Sequence, residues 1–375
     1  MGSEPRIFVR EILPGEKNEV ERLFSRSLGF VDRIIFSLSF EEAEKSAKKQ
    51  TGGTLVAVHE DRIVGSVSVK THLINGKKTG FIDALVVDRE LRGVGIGRHL
   101  VETAITWLED RGCEVIYATA DRYNSGSWNL FIHRGFTVYE IPYQIKDYGL
   151  DFLRLWLVEF YFIGYGTFFL RRSGEPEKVR ELGEEWHFLA AWAGLSLIWW
   201  MLTRRSYELT WVLLLTAVTG ISLLAHELPQ RLVWRRVGLE ATFKAWGSGI
   251  LFALLLSSVN SFFPVYGSTY VKQTDYRYKR GREGTGIAFA VGPLVSLALA
   301  TVFWFLASYV YTDSLAILCR SGFILNLANA VFNAIPVQGA GGFVWDGRKI
   351  FEWDKAVWLI IVAGSIALIV IDTLY

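Results

Sequence analysis

The spacing of apolar and polar positions changes character near residue 150. Before that point apolar runs are short and broken by charges. Residues 7–10 alternate with the period of a half-buried strand, Pro14-Gly15-Glu16 breaks the run, and a helix follows through Val20 and Leu23. Residues 54–58 and 63–69, either side of the polar turn His59-Glu60-Asp61-Arg62, predict a hairpin; after the turn at Asn75-Gly76 a third strand runs over 79–87. A helix over 97–110 presents the stripe Leu100, Val101, Ala104, Ile105 and Leu108, and 115–119 reads as another strand. The order β, α, three strands, α, β, α, β predicts an α+β domain.

Beyond residue 152 the runs lengthen and become membrane-like. Residues 152–170 are apolar yet hold Arg154 and Glu159, the pattern of a helix lying in an interface, and a polar linker follows over 171–185. Runs at 187–202, 207–225, 286–311, 314–335 and 356–374 predict five membrane spans, with the C-terminus outside. Were 247–264 also to cross, Lys272, Arg277, Lys279, Arg280 and Arg282 would lie outside with Arg204 and Arg205. Basic loops stay on the cytosolic side, so this run is expected to re-enter. The expected domains are therefore 1–145, an interfacial helix and linker at 146–186, and a polytopic α-helical membrane domain at 187–375.

Charge and cysteine content narrow the class. The formal net charge of +2 gives no case for nucleic acid as a partner. Cys113 and Cys319 are the two cysteines, one in each half, which suggests no disulfide framework and fits a reducing compartment. The first residues lack the apolar core of a signal peptide, so a multi-pass membrane protein with a cytoplasmic N-terminal domain is expected. Trp199, Trp200 and Trp211 fit interfacial belts.

In the first half the chemistry concentrates where the third strand meets the long helix. Arg92-Gly93-Val94-Gly95-Ile96-Gly97 puts three glycines in five residues at a helix start, where backbone can approach a ligand and free N–H groups suit a pyrophosphate. With the strand Ala84-Leu85-Val86-Val87 before it, and Asn124 and Leu130-Phe131-x-x-x-Gly135-Phe136 after it, this resembles the GNAT acetyltransferase superfamily over residues 5–142. The resemblance implies that Leu85, Val86 and Val87 pair with the pantetheine arm of acetyl-CoA. It implies that Arg92, Gly93, Val94, Gly95, Ile96 and Gly97 hold the pyrophosphate and that Asn124 contacts the cofactor. An acceptor amine would then attack the thioester directly, with a base and an acid moving protons. The family's tyrosine acid is replaced by Phe131, leaving Tyr123 or Tyr117 for that role, or an unassisted thiolate; Asp83 is the expected base. His99 and His133 read as surface residues.

In the second half, His226-Glu227-Leu228-Pro229-Gln230 is H-E-x-x-H with glutamine for the second histidine. Together with Gly292-Pro293, the row Asn326, Asn329, Asn333, and a distant Asp346-Gly347, it resembles the site-2 protease family of intramembrane zinc metalloproteases over 185–375. That resemblance implies His226 and Asp346 as metal ligands and Glu227 as the base that activates water. Gln230 shares a helix face with His226 but offers zinc a much weaker donor than imidazole. Pro229 is expected to kink the same turn, and the Gly-rich stretch 337–345 is longer than the family's usual link. Asn326 and Asn329 fit interhelical hydrogen bonds.

The reading favoured is a membrane-tethered, acetyl-CoA-dependent N-acetyltransferase whose membrane domain has lost protease activity, with zinc doubtful. Its expected partners are an amine acceptor, the lipid bilayer and a membrane peptide client. The alternatives are an active zinc protease gated by an acetyl-CoA-binding domain, and a non-catalytic scaffold.

Overall fold

The strands of the first half close into one mixed sheet, and the sheet recruits residues that the hydrophobic pattern assigns to the membrane surface. A computed structural model describes residues 7–122, 124–159, 161–162, 164, 166–174, 181–203, 208–263, 266–271, 282–310, 312–336 and 346–374. The chain divides into two compact units between Glu181 and Leu182. Tyr123, the basic loop 272–281, Arg204, Arg205 and the stretch 337–345 lie outside the described residues.

Unit 1 runs β1 (Phe8–Glu11), α1 (Lys17–Ser27), α2 (Phe30–Lys48), β2 (Gly52–His59), β3 (Arg62–Ile74), β4 (Lys77–Val87), α3 (Ile96–Glu109) and β5 (Val115–Asp121). It continues with α4 (Ser125–Ile132), β6 (Thr137–Val138), α5 (Ile141–Tyr148), α6 (Phe152–Val158) and β7 (Thr167–Ser173). The strand order is β1-β2-β3-β4-β5-β7-β6. Of these pairings β4–β5 is parallel and the rest antiparallel. Successive residues of β4 face opposite ways: a side chain on Gly80 would meet Leu108 of α3, whereas Phe81 joins a cluster with Tyr117, Leu155 and Trp156.

Two expectations are corrected here. Residues 152–173 are not an interfacial helix and linker, and the first domain does not end at 145. Leu155 and Trp156 of α6 are fully buried against the sheet, and β7 pairs with β5 from Val115↔Ser173 to Asp121↔Thr167. Burying such side chains contributes roughly 1.5–3 kcal/mol each, which outweighs an interfacial placement. The sequence pattern also omits α2, whose apolar residues are not confined to one stripe: Phe40 is buried, while Phe30, Ile34 and Leu38 are exposed.

Unit 2 comprises α7 (Glu184–Leu202), α8 (Leu209–Arg236), β8 (Ala241–Ala245), α9 (Gly247–Ser258), β9 (Gly267–Val271), α10 (Arg282–Tyr309), α11 (Asp313–Asn333), α12 (Asp346–Trp353) and α13 (Lys355–Leu374). Among the described residues four helices are long and apolar enough to cross a membrane: Leu209–Arg236, Gly286–Tyr309, Ser314–Asn333 and Lys355–Leu374. The fifth expected span corresponds to α7, whose tryptophans and first-turn Glu184 and Glu185 lower its apolarity. The ambiguous run 247–264 forms the 12-residue α9, about 18 Å long and so too short to cross a core of about 30 Å. It is flanked by β8 and β9, which pair as an antiparallel hairpin from Ala241↔Val271 to Ala245↔Gly267. Pro229 lies inside α8, which continues as one helix through it. The expected kink is not a break; what the ring removes is the N–H that would bond the carbonyl of Ala225.

Candidate active sites of the two units

In unit 1 the site starts from a bulge. Ser66 pairs with Val86 and Ser68 with Asp83, so Ala84 and Leu85 together oppose Val67, and Ala84 takes a left-handed φ of 49°. A bulge bends its strand. The parallel β4–β5 ladder accordingly runs from Thr79↔Val115 to Ile82↔Ala118 and stops, while β5 continues to Asp121 paired with β7. Beyond Ile82 the strand β4 is no longer paired with β5, and Val86 and Val87 keep β3 alone, through Ser66 and Gly65.

Past β4, Asp88 caps a single 3-10 turn by accepting from the Glu90 N–H at 3.3 Å, and its carboxylate pairs with Arg26 at 2.8 Å. The chain then turns through Gly93 at φ 86° and Gly95 at φ 95°, the second capping α3. Both conformations disfavour any residue with a Cβ, and at both positions the space a Cβ would enter is open. Val94 is exposed, Ile96 is buried, and Gly97 permits close packing, since a Cβ there would lie 3.2 Å from Leu130 of α4. The first N–H groups of α3 point out of the helix, and this end attracts anions. Arg92 is exposed beside them, its Nε donating to the Val87 carbonyl at 3.4 Å.

The other expected residues separate. Asn124 caps α4, its Oδ1 accepting from the Ser127 N–H at 3.2 Å. Phe131 is buried edge-on against Phe136. Tyr117 is no exposed acid: it is fully buried, its hydroxyl hydrogen-bonds to that of Tyr148 at 2.8 Å, and burial first, then the neighbouring phenols, pushes its pKa upward. His99 and His133 are exposed.

Asp83 lies immediately before the bulge with an ion pair to the buried Lys70 at 2.7 Å. Lys70 also donates to the Val158 carbonyl at 2.9 Å and stands 3.7 Å from Glu42 and 3.9 Å from Glu159. Burial alone would lower the lysine's pKa; Asp83 and Glu159 outweigh that and hold it above its ordinary value. Glu159 was missed as a site residue because its apolar neighbours at 152–170 read as a membrane segment.

In unit 2 the expected constellation comes together, with different bonds. Gln230 Nε2 donates to Asp346 Oδ2 at 3.1 Å. His226 Nδ1 lies 2.9 Å from Ser296 Oγ, and its Nε2 lies 3.4 Å from Asn333 Nδ2. Glu227 instead binds the hairpin, accepting from the Thr269 hydroxyl at 2.7 Å and its N–H at 3.1 Å. Gly292 makes room for this packing, because a Cβ there would lie 2.3 Å from Gln230 Nε2. Asn326 bridges helices through Ser222 Oγ at 2.8 Å, and Asn329 accepts from the Tyr266 hydroxyl at 3.2 Å. Ser296 and Thr269 carried no signal in the sequence.

This donor set does not fit zinc. The set holds one imidazole, bonded to Ser296 and Asn333, and one carboxylate, bonded to the nitrogen of a carboxamide, whereas protein zinc sites supply at least three His, Cys or carboxylate ligands. Among the described residues no group of three or more His, Cys, Asp or Glu could hold a metal ion.

Known proteins resemble the chain in two ways. Residues 18–136 match the family described as "Acetyltransferase (GNAT) family". The chain is also 33% identical over 155 residues to "Putative zinc metalloprotease MJ0611" of Methanocaldococcus jannaschii, covering 41% of this chain and 76% of that protein. It is 32% identical over 103 residues to "N-alpha-acetyltransferase MAK3" of Arabidopsis thaliana, covering 28% of this chain and 54% of that protein. Among solved structures, "Crystal structure of the NatC complex bound to Gag peptide and CoA" aligns at 19% identity over 45% of this chain and 99% of that one, with a TM-score of 0.33. The chain therefore belongs to the family of the Methanocaldococcus jannaschii protein, and its first half carries an acetyltransferase (GNAT) domain.

Proposed function

We propose that this protein is a membrane-anchored N-acetyltransferase that moves an acetyl group from acetyl-CoA to the α-amino group of a peptide. The observation that carries the reading is the split between β4 and β5 beside a glycine turn at the start of α3. Leu85, Val86 and Val87 would pair with the pantetheine arm, and the backbone of residues 92–97 would hold the pyrophosphate, with Arg92 as a cation beside it. Asn124, whose oxygen caps α4, keeps its amide N–H groups for the cofactor. The acceptor class follows the Arabidopsis relative, an N-alpha-acetyltransferase by name.

Asp83 receives the amine's proton as the nitrogen attacks the thioester carbon. The C–S bond breaks, the amide keeps its remaining N–H, and the thiolate is protonated from solvent, to which Asp83 afterwards returns the proton it took. Thiols near pKa 8.5 are tolerable leaving groups, so Phe131 need not be replaced by an acid. Tyr123 remains the proposed acid where one acts.

Unit 2, in this reading, anchors the chain and is not a zinc protease, because Gln230 and Asp346 satisfy each other. Its polar interior, with Glu227 held by Thr269, would serve to bind a membrane peptide.

The test is acetyl transfer by the full-length protein in detergent, with acetyl-CoA and short peptides bearing a free N-terminus. Gly95→Trp should abolish acetyl-CoA binding, since its side chain would fill the open space over the turn. Unchanged affinity in that variant would refute the cradle.

A further inference from the structure

The Lys70 cluster has a carboxyl group that the scheme above does not use. Glu159 follows α6 directly, its side chain has 0% exposure, and among the described residues neither of its oxygens receives a hydrogen bond. It shares the Lys70 ammonium with Asp83, the two carboxylates standing 3.9 and 2.7 Å from it, and two carboxylates bond to each other only through a proton. A fully buried, unsatisfied carboxylate aimed at an ion pair is costly enough to need a reason.

Base strength supplies one. A carboxylate standing singly beside an ammonium is a poor base for an amine. Two carboxylates that face each other resist double ionisation, which raises the pair's affinity for a single proton. We propose that Asp83 and Glu159 act as one proton-accepting unit, clamped by Lys70, which takes the proton of the acceptor amine during acetyl transfer. Asp83 meets the substrate; Glu159, out of its reach, is a positioning residue that sets the basicity. The balance is simple: the unprotonated pair takes one N–H proton and becomes the singly protonated pair, while the nitrogen's electron pair forms the bond to the acetyl carbon. The amide keeps the other N–H, and the thiolate takes its proton from solvent.

The remaining charged and titratable neighbours are consistent with this. Glu42 on α2 is half-exposed at 3.7 Å from Lys70, and His72 on β3 is held below its ordinary pKa by burial and by Lys70, so it stays neutral. Burial first, then the charge of Asp83, pushes the Glu159 carboxyl well above the ordinary carboxylate range.

The inference rests on the acetyltransferase reading, and two measurements on the full-length protein separate their failures. The first is the pH profile of kcat/KM with acetyl-CoA and a peptide bearing a free N-terminus. The acid limb of the wild type should lie well above 4, and Glu159→Gln should move it down by about one pH unit or more with the KM for acetyl-CoA unchanged. A rate loss with an unmoved limb, or a wild-type limb near 4, overturns the pair; the wild-type value decides even where the variant fails to fold.

The second needs no turnover. A carboxyl whose folded pKa is raised adds stability that is complete at acid pH and is lost as pH rises through the folded value. Wild-type stability should therefore decline as pH rises above the ordinary glutamate range, and Glu159→Gln should remove that slope. Absence of the slope in the wild type overturns the shared proton. Absent acetyl transfer with the slope retained overturns the acetyltransferase reading and, with it, the catalytic role of the pair.

Discussion

Ala84 carries the strain that the cofactor groove requires. A non-glycine residue at φ 49° sits in a sparsely populated region at a cost of order 1 kcal/mol, and here the cost is met at the residue that turns β4 away from β5. Ala84→Gly should therefore raise stability by about 0.5–1 kcal/mol, read as a higher denaturation midpoint, with the bulge intact. A loss of stability would mean that the methyl's packing outweighs the backbone term. Gln230 makes the complementary argument in unit 2. Its amide nitrogen on Asp346 is a bond that histidine as a zinc ligand would have to give up. Purified wild type should hold no stoichiometric zinc, and Gln230→His should bind it, since position 230 lies one turn from His226 on α8. Equal zinc affinity in the two would sink the inactive-protease reading.

At the level of elements, α6 and β7 decide where the acetyltransferase domain ends. β6 pairs with β7 alone among the strands, and β5 beyond Ala118 depends on β7 as well. A fragment of residues 1–145 should consequently fail to fold, whereas 1–181 should give a cooperative transition by circular dichroism; a folded 1–145 fragment would contradict the strand pairing. The same elements show what periodicity could and could not reveal. The hairpin β2–β3, the strand β4 and the helix α3 were legible, because each alternates with its own period and is punctuated by glycine or a polar turn. Gly93 and Gly95 were legible as turn residues for the same reason, since they stand where a positive φ demands glycine. α6 and β7 were not: a segment buried in a protein core and one buried in lipid have the same composition, and β7 finds its partner about fifty residues earlier in the chain. The Lys70–Asp83–Glu159 cluster was illegible for that reason, being assembled from β3, β4 and the end of α6. In unit 2 the motif brought the right four residues together, yet the bond that defines the site, from Gln230 to Asp346, spans a sequence separation of 116.

For the whole molecule the open quantity is the parity of membrane crossings. Among the described residues four helices pass on length and apolarity, and an even number of crossings would leave both ends of the chain on one side of the membrane. Packing within unit 2 argues for a fifth. α7 lies antiparallel to α8 along most of its length: Glu184 pairs with Arg231 at one end, the Trp192 ring packs over Gly220 midway, and Trp199 shares a cluster with Trp211 and Leu215 at the other. Its 19 residues extend about 28 Å, close to the hydrocarbon thickness. What lowers its apolarity is chiefly Glu184, Glu185 and His187 in its first turn, which can stand at the membrane surface, together with four tryptophans, which membrane interfaces accept readily. If α8 crosses, α7 crosses beside it. The end shared by Glu184 and the last turn of α8 then carries Arg231, Arg235 and Arg236, an excess of basic residues that by the positive-inside rule predicts a cytosolic end. A reporter fused after Leu374 should accordingly be found outside the cell membrane, and one fused ahead of β1 should be found inside. Both reporters on the same side would remove α7 from the set of crossing helices.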